Sequence, residues 1–312
     1  MESTTLAQVE VTTLANTASG VLEAYLAELD ASEKTRATYQ RALRQYMAWL
    51  EEQEVELDHT TRAHVMAYKH HLEETRSANT CATYLVAVRN LYAWLNARTG
   101  YPDVAQGVKN PKRSGHTSKD ALTLTQARDL LNAPAQGERE LRDAAMVALM
   151  LRRGLRTVEV ARANVGDLRQ LCGKAVLYVQ GKGHSDKDDF VVLGEAVERA
   201  IRAYLKERGQ VLDEEPLFTS VGNRNSGGRM TTRAISRVAK DAMRALGIDS
   251  PHITAHSLRH TAVTLSLVGG ATVQEAQAMA RHANISTTMV YAHNLEKMDA
   301  RAESAIDELL AG

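Results

Sequence analysis

Several short segments of this chain carry side chains whose types and spacing could do chemistry together. His256-Ser257-Leu258-Arg259-His260 sets His256 and Arg259 three apart, on one face of a helix, so an imidazole and a guanidinium can reach the same ligand. His256 and His260, four apart, would also suit a zinc pair. The glutamate that follows the first histidine of a metalloprotease motif is replaced by Ser257, and no metal is expected. Gly154-Leu155-Arg156 follows a long apolar helical run. Gly154 suits a helix stop, which places Arg156 in a turn with Glu159 close enough to hold its guanidinium. Gly181-Lys182-Gly183 puts a lysine on a flexible hairpin tip, and Ala280-Arg281-His282 ends a helix shortly before Tyr291. Arginine forks stay cationic and stabilise developing negative charge. Imidazoles move protons near neutrality. A phenol, with a pKa of about 10 and roughly one part in a thousand ionised at neutral pH, becomes a nucleophile only with a base beside it.

The elements that must position these groups follow from periodicity. Residues 1–16 are polar and Thr-rich and read as a loose tail. A helical stripe then runs through Val21, Leu22, Tyr25, Leu26 and Leu29. Ser32 is placed to cap a second helix with Tyr39, Leu43, Tyr46, Met47 and Leu50 inward. A third helix is expected over about 60–74. A fourth runs from Asn79, with Tyr84, Leu85, Val88, Leu91, Tyr92 and Leu95 inward, to Gly100 ahead of Pro102. These four make an all-α domain over 17–102. Residues 103–120, poor in apolar side chains and rich in breakers, read as a linker whose Lys109, Lys112 and Arg113 could follow a phosphate backbone. A mixed domain is expected over 121–312. It has helices at about 125–132 and 139–152, then a small antiparallel hairpin from about 175–180 and 190–193 with Lys182 at its turn. Helices follow at about 195–208, 231–246, 257–268, 272–281 and 286–294, with an amphipathic tail to about 310. The fold class is mainly α with a small antiparallel β-sheet.

Composition narrows the function classes. At 312 residues, with 44% hydrophobic and 24% charged residues, the chain can bury two cores and is not disordered. No apolar run approaches the ~20 residues of a membrane span, and the N-terminus lacks the basic and apolar blocks of a secretory signal. Two cysteines, Cys81 and Cys172, cannot make a disulfide framework, which fits a reducing cytoplasm. Lys plus Arg and Asp plus Glu are both 38, so no global basic field announces nucleic acid, and a DNA-binding face would have to come from local segregation of charge.

Taken in order, Arg156, Lys182, His256-x-x-Arg259, His282 and Tyr291 resemble the catalytic set of the tyrosine recombinases of the phage-integrase family. The first domain is similar to that family's helical core-binding domain through Tyr39-x-x-x-Leu43 and the Asn79-Thr80 to Leu95 helix, so the resemblance covers about 18–295. It implies an N-terminal core-binding domain followed by a mixed α/β catalytic domain of the simple, Xer-like type. It also implies site-specific recombination of double-stranded DNA without metal, ATP or other cofactor. Tyr291 would attack a phosphate, release a 5′-hydroxyl and form a 3′-phosphotyrosine. Strand exchange would pass through a Holliday junction on a homotetramer bound to DNA. Arg156 and Arg259 would stabilise the phosphorane-like transition state and His282 would donate to the phosphate. His256 would act as base and Lys182 as the acid for the departing 5′-oxygen, with Glu159 and His260 in support. Arg36, Arg41 and Arg44, on one helix, are candidates to face DNA. Ile306, Leu309 and Leu310 could dock on a neighbouring protomer or cap their own. Two alternatives stand beside this: a type IB topoisomerase-like nicking-closing enzyme that uses the same residues, and a catalytically silent DNA-binding factor, which a substitution at any of the six positions would favour; none is substituted. In the family a glycine commonly precedes the third-position histidine, where this chain has Arg281.

Overall fold

The computed structural model of the chain describes residues 18–112, 120–181, 186–222, 225–298, 306 and 309–311. Contacts divide the chain into two compact units, Met1–His116 and Thr117–Gly312.

The first unit is all α. Helix α1 spans Ala18–Glu28, α2 Glu33–Glu52, α3 Arg62–Thr75 and α4 Ala78–Thr99. Ser32 and Ser77 cap α2 and α4 by accepting the N–H of the residue three ahead, and α4 stops at Gly100, whose φ of 72° is easy only without a Cβ. The apolar stripes meet in one core of Tyr25, Leu43, Tyr46, Tyr68, Leu72, Leu85, Leu91 and Tyr92. The segment read from sequence as the start of the linker departs from that expectation. Ala105 and Val108 are buried in the same core, and Arg89 donates to the Val108 carbonyl at 2.7 Å. Two small apolar residues three apart suffice to fold a turn back onto α4, a signal too short to separate from linker composition.

The second unit is built around α6, Gly137–Arg153, whose residues Ala145 to Leu151 are all buried. Helix α5, Leu124–Asn132, precedes it under a Thr123–Gln126 capping box. After α6 comes α7, Thr157–Arg162, and then a three-stranded antiparallel sheet: β1, Leu168–Leu171, β2, Lys174–Val179, and β3, Asp189–Val192, in the order β1-β2-β3. Helix α8, Glu195–Arg208, packs on α6. The remaining helices are α9, Thr232–Ala245, α10, Ala255–Val268, α11, Val273–Ala280, and α12, Ser286–Met298.

Two elements exceed the sequence expectation. The hairpin gains a third strand, β1, because Leu-Arg-Gln-Leu lies on the sheet edge with three of its four side chains exposed and so shows no inward-outward alternation. Helix α7 is only six residues long, too short for a periodic signal. Helix α10 begins at Ala255, two residues earlier than expected, because Thr254 and Ser257 form a capping box.

Candidate active site

The site gathers at helix ends. Helix α6 stops where Gly154 turns left-handed at φ 63°. Two residues later Arg156 occupies the cap position of α7. Glu159, one turn in, takes the Arg156 backbone N–H on Oε2 and its Nη1 on Oε1, both at 2.7 Å. The carboxylate is fully buried at the positive end of a helix. Burial pushes its pKa up, but the Arg281 guanidinium and the Arg156 backbone N–H outweigh that and hold it below the usual carboxylate range.

Arg259 lies one turn into α10 and is 2% exposed. Its Nη1 donates to the carbonyl of Gly154 and its Nη2 to that of Ala280, so one guanidinium ties together the ends of α6 and α11. Burial, and the like charge of Arg156, pull its pKa down to about 9, which leaves it cationic at neutral pH.

Helix α11 ends at Ala280, and Arg281 follows with φ 52° and ψ 50°. That reversal turns His282 toward α12. His282 Nδ1 lies 2.9 Å from the hydroxyl of buried Thr288, while its carbonyl accepts from Gln277 at 2.9 Å. The Arg156 Nη2 reaches the Arg281 carbonyl at 3.2 Å.

Tyr291, 9% exposed, stands one turn after Thr288 on α12. Its hydroxyl is 2.6 Å from His260 Nδ1, and its ring lies 6.5 Å from that of His282 at 16°. His256 meets His260 edge-on with ring centroids 4.7 Å apart. Burial pushes the Tyr291 phenol up to about 12, against a downward pull from Arg259. Burial, then His256 and Arg259, bring His260 down to about 4. Burial, then Arg259 and Arg156, do the same to His282. Both rings are therefore neutral at neutral pH, so each has one nitrogen able to accept a proton.

Comparison with known proteins follows the same division of the chain. The profile of the Phage integrase family matches residues 120–298, and that of the phage integrase N-terminal SAM-like domain matches residues 6–99. The chain belongs to the phage integrase family. The tyrosine recombinase XerC of Corynebacterium glutamicum is 32% identical over 226 residues, covering 71% of this chain and 70% of that protein. The tyrosine recombinase XerD of Vibrio cholerae is 30% identical over 265 residues, covering 84% and 86%. Two solved structures share the fold. One is the XerH site-specific recombinase bound to a palindromic difH substrate in a post-cleavage complex, with TM-score 0.72, 16% identity, and 97% of this chain and 90% of that chain covered. The other is a lambda integrase dimer bound to a COC′ core site, with TM-score 0.67, 15% identity, and 87% and 75% covered. This chain is accordingly a site-specific DNA recombinase of the tyrosine class, and the silent DNA-binding alternative is not favoured.

Within this recombinase, Arg156, His256, Arg259, His282 and Tyr291 belong to one neighbourhood, joined by the contacts above. Lys182 lies outside the described residues. On either side of those residues, Arg162 Nη1 donates to the Gly181 carbonyl at 3.2 Å, and Lys187 pairs with Asp167. Arg36 donates to the Leu29 carbonyl at 2.9 Å, at the junction of α1 and α2. Arg41 and Arg44 are exposed on α2, as are Lys109 and Lys112 after α4, while Arg113 lies outside the described residues. Sequence reasoning held His260 as a supporting neighbour, yet it makes the direct hydrogen bond to the Tyr291 hydroxyl. It did not single out Thr288. The i+3 spacing from Thr288 to Tyr291 was the available signal, because both then share a helix face. Among the described residues, no helix is long and apolar enough to cross a membrane.

Proposed function

We propose that the recombinase cleaves and rejoins DNA through Tyr291. The phenolic oxygen bonds to a backbone phosphorus as the bond to the 5′-oxygen breaks, leaving a 3′-phosphotyrosine and, once that oxygen is protonated, a free 5′-hydroxyl. The 5′-hydroxyl of a second strand reverses the step. One phosphoester bond is exchanged for another, so no external energy source is needed. The single observation that carries the reading is the 2.6 Å contact between a buried phenol and the Nδ1 of a neutral imidazole, beside a buried arginine.

Each residue then has a task. Arg156 and Arg259 hold the non-bridging oxygens and stabilise the added negative charge, and His282, oriented by Thr288, donates to the same phosphate. The base expected from sequence was His256. The contact favours His260 as the ring that takes the phenolic proton, with His256 paired against it at the phosphate side. Lys182 protonates the leaving 5′-oxygen. Four protomers on two DNA sites, exchanging strands in pairs through a Holliday junction, complete the recombination. The helical first unit grips the duplex through exposed basic residues such as Arg41 and Arg44. The two-domain organisation and the Xer relatives support a simple Xer-type enzyme acting in the cytoplasm.

The test is covalent capture. Duplexes selected by the purified protein from a random pool are incubated with it in chelator and run on a denaturing gel. The expected result is an SDS-resistant adduct whose proteolytic fragment contains Tyr291, with a 5′-hydroxyl on the cleaved strand. Tyr291→Phe should bind the same duplexes and give no adduct. An adduct that persists in that variant removes Tyr291 from its role.

A further inference from the structure

We propose that Arg281 is a positioning residue for cleavage, one that fixes the phosphate-binding fork of Arg156 by sharing the Glu159 carboxylate with it. The proposal rests on the recombinase reading above.

Three residues close a ring of hydrogen bonds. Arg156 Nη1 donates to Glu159 Oε1 at 2.7 Å, Arg281 Nη2 donates to Glu159 Oε2 at 2.7 Å, and Arg156 Nη2 donates back to the Arg281 carbonyl at 3.2 Å. Arg281 thus touches Arg156 twice, through its own peptide and through the shared carboxylate. The ring joins the start of α7 to the end of α11, and His282 is the next residue after Arg281.

The backbone makes an arginine here noteworthy on physical grounds. A φ of 52° is disfavoured for any side chain with a Cβ and easy for glycine. A residue serving only to reverse the chain before His282 would need no side chain at all. Instead a long cationic side chain is buried to nine-tenths. Its Nη1 also donates to the Met279 carbonyl at 2.8 Å, while its Nε has no acceptor among the described residues. Saturation of its own donors is therefore not what holds the guanidinium in place; the carboxylate is.

Electrostatics give the ring its consequence. Glu159 is the buried anion beneath two or more cations, and the charged groups that bear on it are Arg156 at the head of α7, Arg281 at the end of α11 and Arg259 on α10. Arg281 supplies the largest of the effects that keep the carboxyl ionised against its burial. Without it, Glu159 takes up a proton at higher pH. The protonated acid loses acceptor capacity for Arg156, and the fork is no longer held.

The experiment compares Arg281→Gly, Arg281→Lys and Glu159→Gln, together with the Glu159→Gln/Arg281→Gly double variant. Each full-length protein is assayed on a selected duplex for binding and for the single-turnover rate of SDS-stable adduct formation, from pH 5.5 to 9. Arg281→Gly relaxes the backbone, so a merely structural arginine predicts a rate at least equal to wild type. The proposal instead expects unchanged binding, a rate lowered on the order of ten- to a hundredfold by misplacement of the fork, and an acid limb moved to higher pH. Arg281→Lys, which keeps the charge, should return the acid limb toward its wild-type position with part of the rate. In the Glu159→Gln background the Arg281→Gly change should add little, because the shared partner is already gone. A wild-type rate and profile for Arg281→Gly, or a full additional loss in the double variant, overturns the proposal. Failure of the wild-type protein itself to form an adduct is a different result. It defeats the recombinase chemistry, and the proposal with it.

Discussion

Both units of this recombinase bury tyrosines, and the two sets differ in what their hydroxyls meet. In the helical unit Tyr46 and Tyr92 are fully buried, and their hydroxyls bond to one another at 2.9 Å. Tyr25 and Tyr68 bury hydroxyls with no partner among the described residues. Burial and neighbouring phenols drive the acidity of Tyr46 far down, and burial, with a smaller push from Tyr101, raises Tyr92 to about 12 even though hydrogen bonds with Thr60 and Tyr46 lower it. Tyr291, in the catalytic unit, is also pushed up to about 12. Burial therefore does not separate the proposed nucleophile from a core residue. Neighbours do: Tyr92 faces another weak acid, whereas Tyr291 faces a neutral imidazole nitrogen, with the buried Arg259 as the influence that favours its ionised form. On the proposed chemistry, a phenol becomes reactive where a base and a cation share its pocket, and it stays structural where only other phenols do.

Arg259 offers the strongest way to break that contrast. Arg259→Ala takes away the cation that separates the two environments. Cleavage should fall by roughly a hundred- to a thousandfold, the usual effect of losing one transition-state donor, while binding to a selected duplex falls far less. The variant also strips the Gly154 and Ala280 carbonyls of their donor, so Arg259→Lys belongs beside it. Single-turnover adduct formation and gel-shift titration separate the two quantities. Equal loss of both would mark Arg259 as a binding residue and undo the comparison.

His260 is the second lever. Replacing it with Gln should slow adduct formation by about a hundredfold, a typical general-base contribution. It has a pH signature as well. A histidine near 6.5 in the unfolded chain and about 4 in the folded protein is neutral in both above pH 6.5. As pH falls from 6.5 toward 4 the unfolded state binds the proton first, so folding stability drops through that window. His282 acts in the same direction. Thermal melts of the wild-type protein should decline over this range, and His260→Gln should flatten the decline. An unchanged slope would show that His260 is not buried as a neutral ring.

The smallest effect sharpens the other side of the contrast. Tyr46→Phe removes one hydroxyl of the buried pair in the helical unit. It should lower stability by ~1 kcal/mol in denaturant titration and leave the rate of adduct formation where it was. A change in cleavage rate would mean that the phenols of the first unit are not merely packing.

Periodicity alone delivered most of the helices. Their apolar stripes repeat over three or more turns, and Ser32 and Gly100 mark ends by local chemistry that needs no tertiary contact. The short elements escaped it: the six residues of α7 hold fewer than two helical turns, and β1, with three of its four side chains exposed at the sheet edge, shows no alternation. The site divides along the same line. Residue type and order were enough to nominate Arg156, His256, Arg259, His282 and Tyr291, because the reaction needs cations, imidazoles and a phenol, and the chain supplies them in the family's sequence. Which imidazole receives the phenolic hydroxyl, and that Arg281 and Arg156 share one carboxylate, depended on the packing of α7, α10, α11 and α12. Helical spacing says which residues lie on one face of one helix. It is silent about distances between atoms more than a hundred residues apart, such as Arg281 and Glu159, and those distances set the protonation states on which the chemistry turns.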